Sequence, residues 1–600
     1  MPDLTDLVPT TLRGGRIYPH LWRCGLLLGL CLFLFFWNLG EIPFYTKGEP
    51  REGMVVTEIY KNGNWILPLR NKDQIPSKPP LFHWLGTGVS KSVGRVDEFT
   101  IRFPSALLGT LGIGLTYLAG ACLWGPGAGL VAGLVLATNV EWWRAAVTAR
   151  VDMTLTFFML CAFLFFDVTY RRERGGVTAA AFLGLLLALA VLAKGPLGVV
   201  VPCATFFAYL LFERNLGFLR KLNPVVVVGS VILIAGSWYG LAYWQEGERF
   251  FLKQIVQENL TAAVGSRGHE QPFYYFIPNL FLYLAPWSLF FPALAVFLYS
   301  RRRSLTQDRL LYPLVWFGTV LFLFSMAPAK RSVYILSLYP AVALLFGAWW
   351  RTLRAEPPHA LKLVRLGVYL NGAVFFLSAA LWIAQLSGVD FMGIARSFMR
   401  LKNQGEFPFY VETVAQNRTA ILIWAVLTVA GSLGLILAMK RRAWEVLAVS
   451  LAGLMGVSLF LVQNRFHPAL AGHHSFRPFM ARVRTAVAEN DPLFFYRTVD
   501  YGAVFYAQRP ILIYGEGAGA GGSPFFLLMW EVDWSKLGPR KGLNLLDVSE
   551  VTNPDQRSKL VLLKVTDEAQ LQAGPLIPSY SEFPGRDGNV SRISIGWVAR

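Results

Sequence analysis

The sequence predicts a polytopic bundle of membrane-crossing α-helices followed by a small α/β unit outside the membrane. Hydrophobic residues make up 54% of the 600, and the mean hydropathy is +0.44. Apolar runs near the roughly 20 residues that cross a bilayer recur as far as residue 463. Beyond about 464, short β-rich apolar runs alternate with turn residues.

The first run, Cys24 to Leu39, follows Arg13, Arg16 and Arg23 as a signal peptide would. No small-residue cleavage site follows, so it reads as an uncleaved first helix. Further spans are expected at 103–123, 126–142, 152–170, 177–193, 196–212, 224–244, 275–299, 309–327, 332–350, 364–386, 419–439 and 442–463. The total is about thirteen transmembrane helices.

With a cytoplasmic N-terminus, the basic clusters 171–174, 214–221, 301–303, 351–354 and 440–442 all fall on the cytoplasmic side, as positive-inside orientation requires. These clusters account for much of the net charge of +19. They set orientation and touch membrane lipids, so nucleic acid is set aside as a partner. The five cysteines lie in expected spans, which points to packing and not to a disulfide framework.

This topology leaves outside the loops 40–102, 245–274 and 387–418 and everything after 463. Residues 1–463 are read as a membrane domain whose first outer loop, 40–102, is catalytic, and 464–600 as an extracytoplasmic domain. In the latter, 493–496, 511–514, 525–529 and 560–565 read as strands and Phe479 to Ala488 as a helix, with a Gly/Ala tract at 515–522.

The loop Phe44 to Trp84 holds the densest chemistry. Glu49 to Lys61 is expected as a short interfacial helix with Val55, Val56, Ile59 and Tyr60 toward the membrane. Glu49 and Glu52 share a face near its start, where a carboxylate also serves as a helix-dipole partner. Arg51 and Lys78 keep them company, and Pro79-Pro80 stiffens the joint that aims Lys78 before a helix from Leu81.

Asp152 opens the fourth span, as a cap or as an active-site acid. Lys194 sits at a Gly195-Pro196 turn, and Lys330-Arg331 holds the equivalent place before Tyr334. Basic turns on the outer side oppose the positive-inside tendency, so phosphate or headgroup contact explains them better than topology. His269 is a candidate substrate contact. No structural-zinc spacing, Walker A, GxSxG or HExxH arrangement is present. No site metal is assigned and these residues fix no cofactor, with a divalent metal left open.

GEPREG (48–53), GNWILP (63–68), KPPLFHW (78–84), FTIRFPSALLG (99–109), the Asp152 segment, LAKGP (192–196), WYGLAYW (238–244), HEQPFYYF (269–276), APWS (285–288) and AKRSVYILSLYP (329–340) occur in this order. Over about residues 25–350 the chain resembles membrane glycosyltransferases of the GT-C fold, in the branch of bacterial aminoarabinose (lipid A) transferases and protein O-mannosyltransferases. The resemblance implies a polyprenyl-phosphate-linked sugar donor and transfer on the outer face of the plasma (inner) membrane. It also implies an envelope glycan, lipid or protein acceptor and an acidic catalytic residue in the first outer loop, here Glu49, with Asp152 reaching the same cavity. The donor contacts expected are Arg51, Glu52, Lys78, Lys194, His269, Lys330, Arg331 and Tyr334.

Where the family often has Asp-Glu, this chain has Gly48-Glu49, and where aminoarabinose enzymes carry Glu before Lys-Pro it has Ser77. Ser77 favours a neutral hexose and makes a metal at that loop less expected. Lipid A aminoarabinose transfer is the alternative within the class. A transporter or flippase is the alternative outside it, since intramembrane charges also mark transport paths.

Overall fold

The computed structural model describes residues 18–261, 270–357, 361–397, 407–515, 524–553, 558–567 and 571. Among these, eight helices are long and apolar enough to cross a membrane: Glu98–Trp124, Val151–Arg171, Val177–Lys194, Pro224–Asn259, Ser332–Thr352, Lys362–Leu386, Arg418–Lys440 and Trp444–His474. A ninth candidate is the pair Phe273–Tyr283 and Trp287–Ser300, bent by 103°. Four shorter apolar helices, His20–Phe36, Pro126–Ala137, Leu197–Phe212 and Leu311–Met326, fall in the remaining expected spans. The chain is a multi-pass membrane protein. All five cysteines are free; Cys31 is buried, Cys161 is half-buried, and Cys24, Cys122 and Cys203 are exposed on their helices.

The first outer loop folds into two helices, Gly48–Asn62 and Leu81–Val93. Gly63 ends the first in the left-handed region, φ 70°, where glycine carries no Cβ penalty. Pro80 starts the second, as the diproline joint predicts. The sequence places the apolar side of the first helix toward the membrane, and the structure turns it inward. Val55, Val56 and Ile59 are buried inside the protein and do not face the membrane. Met54 and Val56 join Ile101 of the second span and Phe479, Met480 and Val483 of the C-terminal part in one apolar cluster. The loop therefore packs between the membrane-spanning helices and the C-terminal unit.

The C-terminal unit is a five-stranded sheet beside the helix Arg477–Ala486. Its strands are β1 Leu493–Phe495, β2 Leu512–Ile513, β3 Phe525–Trp530, β4 Leu543–Asn553 and β5 Ser558–Val565, in the order β2-β1-β3-β5-β4. β1 pairs in parallel with β2 and β3, and β5 pairs antiparallel with β3 and β4. Every residue of β3 is buried because both faces of the sheet are covered, one by the loop-facing cluster and one by a second core. The expected runs at 493–496, 511–514, 525–529 and 560–565 each contribute a strand. β4 carries no such run in the sequence, because it is an edge strand with mixed polar residues and an irregular register. The tract 515–522 lies, but for Gly515, outside the described residues.

Polar clips fasten this unit to the loop. The amide of Asn71 bonds both backbone groups of Ile511 at 2.8 Å, and the Tyr506 hydroxyl accepts from Phe44 N at 2.6 Å and donates to Glu98 at 2.8 Å.

Candidate active site

Where the helices Val177–Lys194 and Leu197–Phe212 meet, Gly195 takes φ 92°, ψ −160°, and the break leaves Lys194 at the C-terminal end of its helix. The Lys194 ammonium donates to Asp152, in the first turn of the helix Val151–Arg171. Asp152 is therefore half of an ion pair between two membrane helices, and nine-tenths of each side chain or thereabouts is buried. The pair lines a cavity of about 20 Å³ together with Thr156, Phe324, Tyr334 and Ser337, room for about one water-sized molecule. Lys194 lies 4.9 Å from the centre of the Tyr334 ring, a cation–π contact.

Cations surround this pair. Lys78 donates to Glu258 at 2.9 Å, and the charges of Arg150 and Lys78 both reach Asp152. Glu258 comes from the C-terminal end of the long helical segment Pro224–Asn259, which is bonded along the first loop at Ile66, Asp73 and Lys78.

Glu49 is bound more tightly than any free base. Arg102 donates Nε to Oε1 at 2.7 Å and Nη2 to Oε2 at 3.1 Å, and Ala149 N donates to Oε1 at 3.0 Å. Arg102 also donates to the carbonyls of Leu39 and Ile42, so the chain leaving the first span is tied to the same guanidinium that holds Glu49. Burial pushes the Glu49 carboxyl up, but the Arg102 guanidinium, the Ala149 amide and Arg150 outweigh it and hold it below the usual carboxylate range.

Glu52 accepts from His83 Nε2 at 2.6 Å. Burial again raises its carboxyl, and His83, Arg70 and Arg51 reverse that effect and keep it below the ordinary value. Arg51 and Arg70 both lie 5.5 Å from the centre of the Tyr501 ring, and neither Nε has a hydrogen-bond partner among the described residues.

A larger concavity, about 410 Å³, lies at the opposite end, lined by Arg354, Arg442, Trp444 and Glu445. There Glu445 accepts from Arg23 at 2.8 Å and Arg354 at 3.0 Å, which fastens the first helix to the later ones. It holds no carboxylate free for chemistry.

Residues 77–239 match the family model described as dolichyl-phosphate-mannose-protein mannosyltransferase. An uncharacterized protein of Aquifex aeolicus (strain VF5) is 30% identical over 351 residues, 58% of this chain and 68% of that one. Undecaprenyl phosphate-alpha-4-amino-4-deoxy-L-arabinose arabinosyl transferase 1 of Pseudomonas fluorescens (strain Pf0-1) is 26% identical over 351 residues, 57% of this chain. The match spans 59% of that relative's length. Among solved structures, ArnT from Cupriavidus metallidurans bound to undecaprenyl phosphate superposes with a TM-score of 0.72 at 20% identity, covering 90% of this chain and 97% of that one. The chain belongs to the GT-C polyprenyl-phosphate-sugar glycosyltransferases.

In this glycosyltransferase, Asp152, Lys194 and Tyr334 come together at one cavity, with Lys78 adjacent. Glu49, Arg51, Glu52, Lys330 and Arg331 do not line it. Arg51 and Glu52 face the C-terminal unit and His83. Lys330, expected at a donor phosphate, is instead buried and donates to the carbonyls of Gln271 at 2.9 Å and Ala327 at 2.6 Å, which secures the turn after Met326. Arg331 is exposed beside it. His269 lies outside the described residues. No group of three or more His, Cys, Asp or Glu among the described residues is arranged to hold a metal ion.

Sequence reasoning gave no role to Arg102, Arg150, Glu258 or Arg70. Arg102 carried a usable signal, since an arginine inside an apolar helix calls for a partner. Glu258 carried none, because its place depends on how a distant helix packs.

Proposed function

We propose that this glycosyltransferase moves a monosaccharide from a polyprenyl-phosphate donor to an envelope glycan, lipid or protein on the outer face of the plasma membrane. The observation that carries the reading is the buried Asp152–Lys194 pair facing a cavity at the outer helix ends, beside Lys78. An acceptor hydroxyl oxygen attacks the anomeric carbon, the bond from that carbon to the phosphate oxygen breaks, and its electron pair leaves on the phosphate. Asp152 takes the acceptor's proton. As it does, its negative charge disappears and Lys194 is left to the departing phosphate, so base and counter-charge act in one step. Lys78 adds positive charge at the same place, and a single displacement inverts the anomeric centre.

In this reading Glu49 is a positioning residue. Its carboxylate ties Arg102 to the amide of Ala149 and so sets the chain that leads into Asp152. The outer sheet unit stands over the first loop, where an acceptor would approach.

Two donors deserve separate trial. The curated relatives named for 4-amino-4-deoxy-L-arabinose transfer favour that sugar. Ser77, in place of the acid those enzymes carry, favours a neutral hexose. Purified protein offered undecaprenyl-phosphate-linked aminoarabinose, a polyprenyl-phosphate hexose and nucleotide sugars decides between them. Transfer from a nucleotide sugar alone would sink the reading.

A further inference from the structure

We propose that the guanidinium of Arg150, lodged in the space that Gly48 leaves open, is a contact for the donor phosphate. A Cβ built on Gly48 would fall 2.2 Å from Arg150 Nη2, 2.6 Å from Cζ and 2.9 Å from Nε. The guanidinium therefore sits against a helix start that only glycine leaves bare. Its backbone is fixed on either side: Arg150 is extended, at φ −145°, ψ 147°, Ala149 N is held by Glu49, and Asp152 begins the next helix turn.

Among the described residues this side chain makes no hydrogen bond and no ion pair, although its charge reaches both Glu49 and Asp152. Those two carboxylates are already taken, Glu49 by Arg102 and Asp152 by Lys194. With Lys78 paired to Glu258, four cations thus face three anions, and Arg150 is the one left over. A partly buried guanidinium with five N–H donors and no acceptor suits an incoming planar or tetrahedral oxyanion, which it can grip at two oxygens. Its neighbour Asp152 puts that oxyanion at the reacting centre. The proposal rests on the polyprenyl-phosphate reading above and adds the residue that would hold the phosphate.

The test compares binding of undecaprenyl phosphate and undecaprenol by the purified full-length protein. Wild type should prefer the phosphate. Arg150→Gln should weaken undecaprenyl phosphate about 10- to 100-fold and leave undecaprenol unchanged, and Arg150→Lys should lie between. Gly48→Ala, which pushes the guanidinium aside without removing its charge, should weaken the phosphate as well. The double variant should bind no worse than Arg150→Gln alone. Wild-type affinity in Arg150→Gln, or equal loss for both lipids, would overturn the proposal while leaving the donor reading intact. Competition by phosphatidylglycerol but not by undecaprenyl phosphate would assign the guanidinium to a membrane headgroup and overturn it too. A wild type that binds the alcohol as well as the phosphate would overturn the donor reading itself.

Discussion

Arg102 grips both carboxylate oxygens of Glu49, at 2.7 and 3.1 Å, with about 3% of either side chain exposed or less. An acid held this way is a strut before it is a base. Removing one partner leaves the other charged, buried and unmatched. Glu49→Gln should therefore lower the stability of the protein by about 3 to 5 kcal/mol, read as a fall in melting temperature in detergent. Donor affinity of the fraction that stays folded should change little. Loss of turnover at an unchanged melting temperature would return the role of base to Glu49.

Asp152→Asn keeps the shape of the side chain and removes the proton acceptor. Turnover should fall by about 100- to 10,000-fold, with undecaprenyl phosphate still bound. Single-turnover transfer measured beside a binding assay separates the two effects. A variant that transfers sugar at near wild-type rate would remove Asp152 from the mechanism.

Acid should loosen the first outer loop. The carboxyls of Glu49 and Glu52 both sit below their usual value in the folded protein. Their stabilisation is therefore complete above the unfolded value, about 4.3, and is lost as pH falls through the lower folded value. Melting temperature should be level from pH 7 to 5 as far as these two groups act, then drop. Glu52→Gln should shallow that drop, and curves that run parallel would show that Glu52 takes no part in it.

Asn71 is the clip whose loss should detach the outer unit most selectively. Asn71→Ala strands the buried N–H and C=O of Ile511, at about 1 to 3 kcal/mol for each unpaired group. Amide exchange should speed up across Leu512–Ile513, and exchange in the membrane helices should not change. Protection equal to wild type at those residues would mean that the apolar contacts alone hold the unit in place.

Much of the architecture is local information, and the sequence by itself determined it. Apolar runs of bilayer length mark the membrane helices, alternating apolar segments mark β1, β2, β3 and β5, and diproline and Gly-Pro joints mark where Lys78 and Lys194 turn. Hydrophobic periodicity and turn chemistry act within a few residues, so one strand of sequence carries them. The site is another matter. Arg102 reaches Glu49 across 53 positions, Lys194 reaches Asp152 across 42, and Lys78 reaches Glu258 across 180. Which cation faces which acid is set by how separate helices pack. Only that packing decided that Lys330 closes a turn, that Val56 joins one apolar cluster with the C-terminal unit, and that the Arg150 side chain beside Gly48 has no hydrogen-bond partner among the described residues.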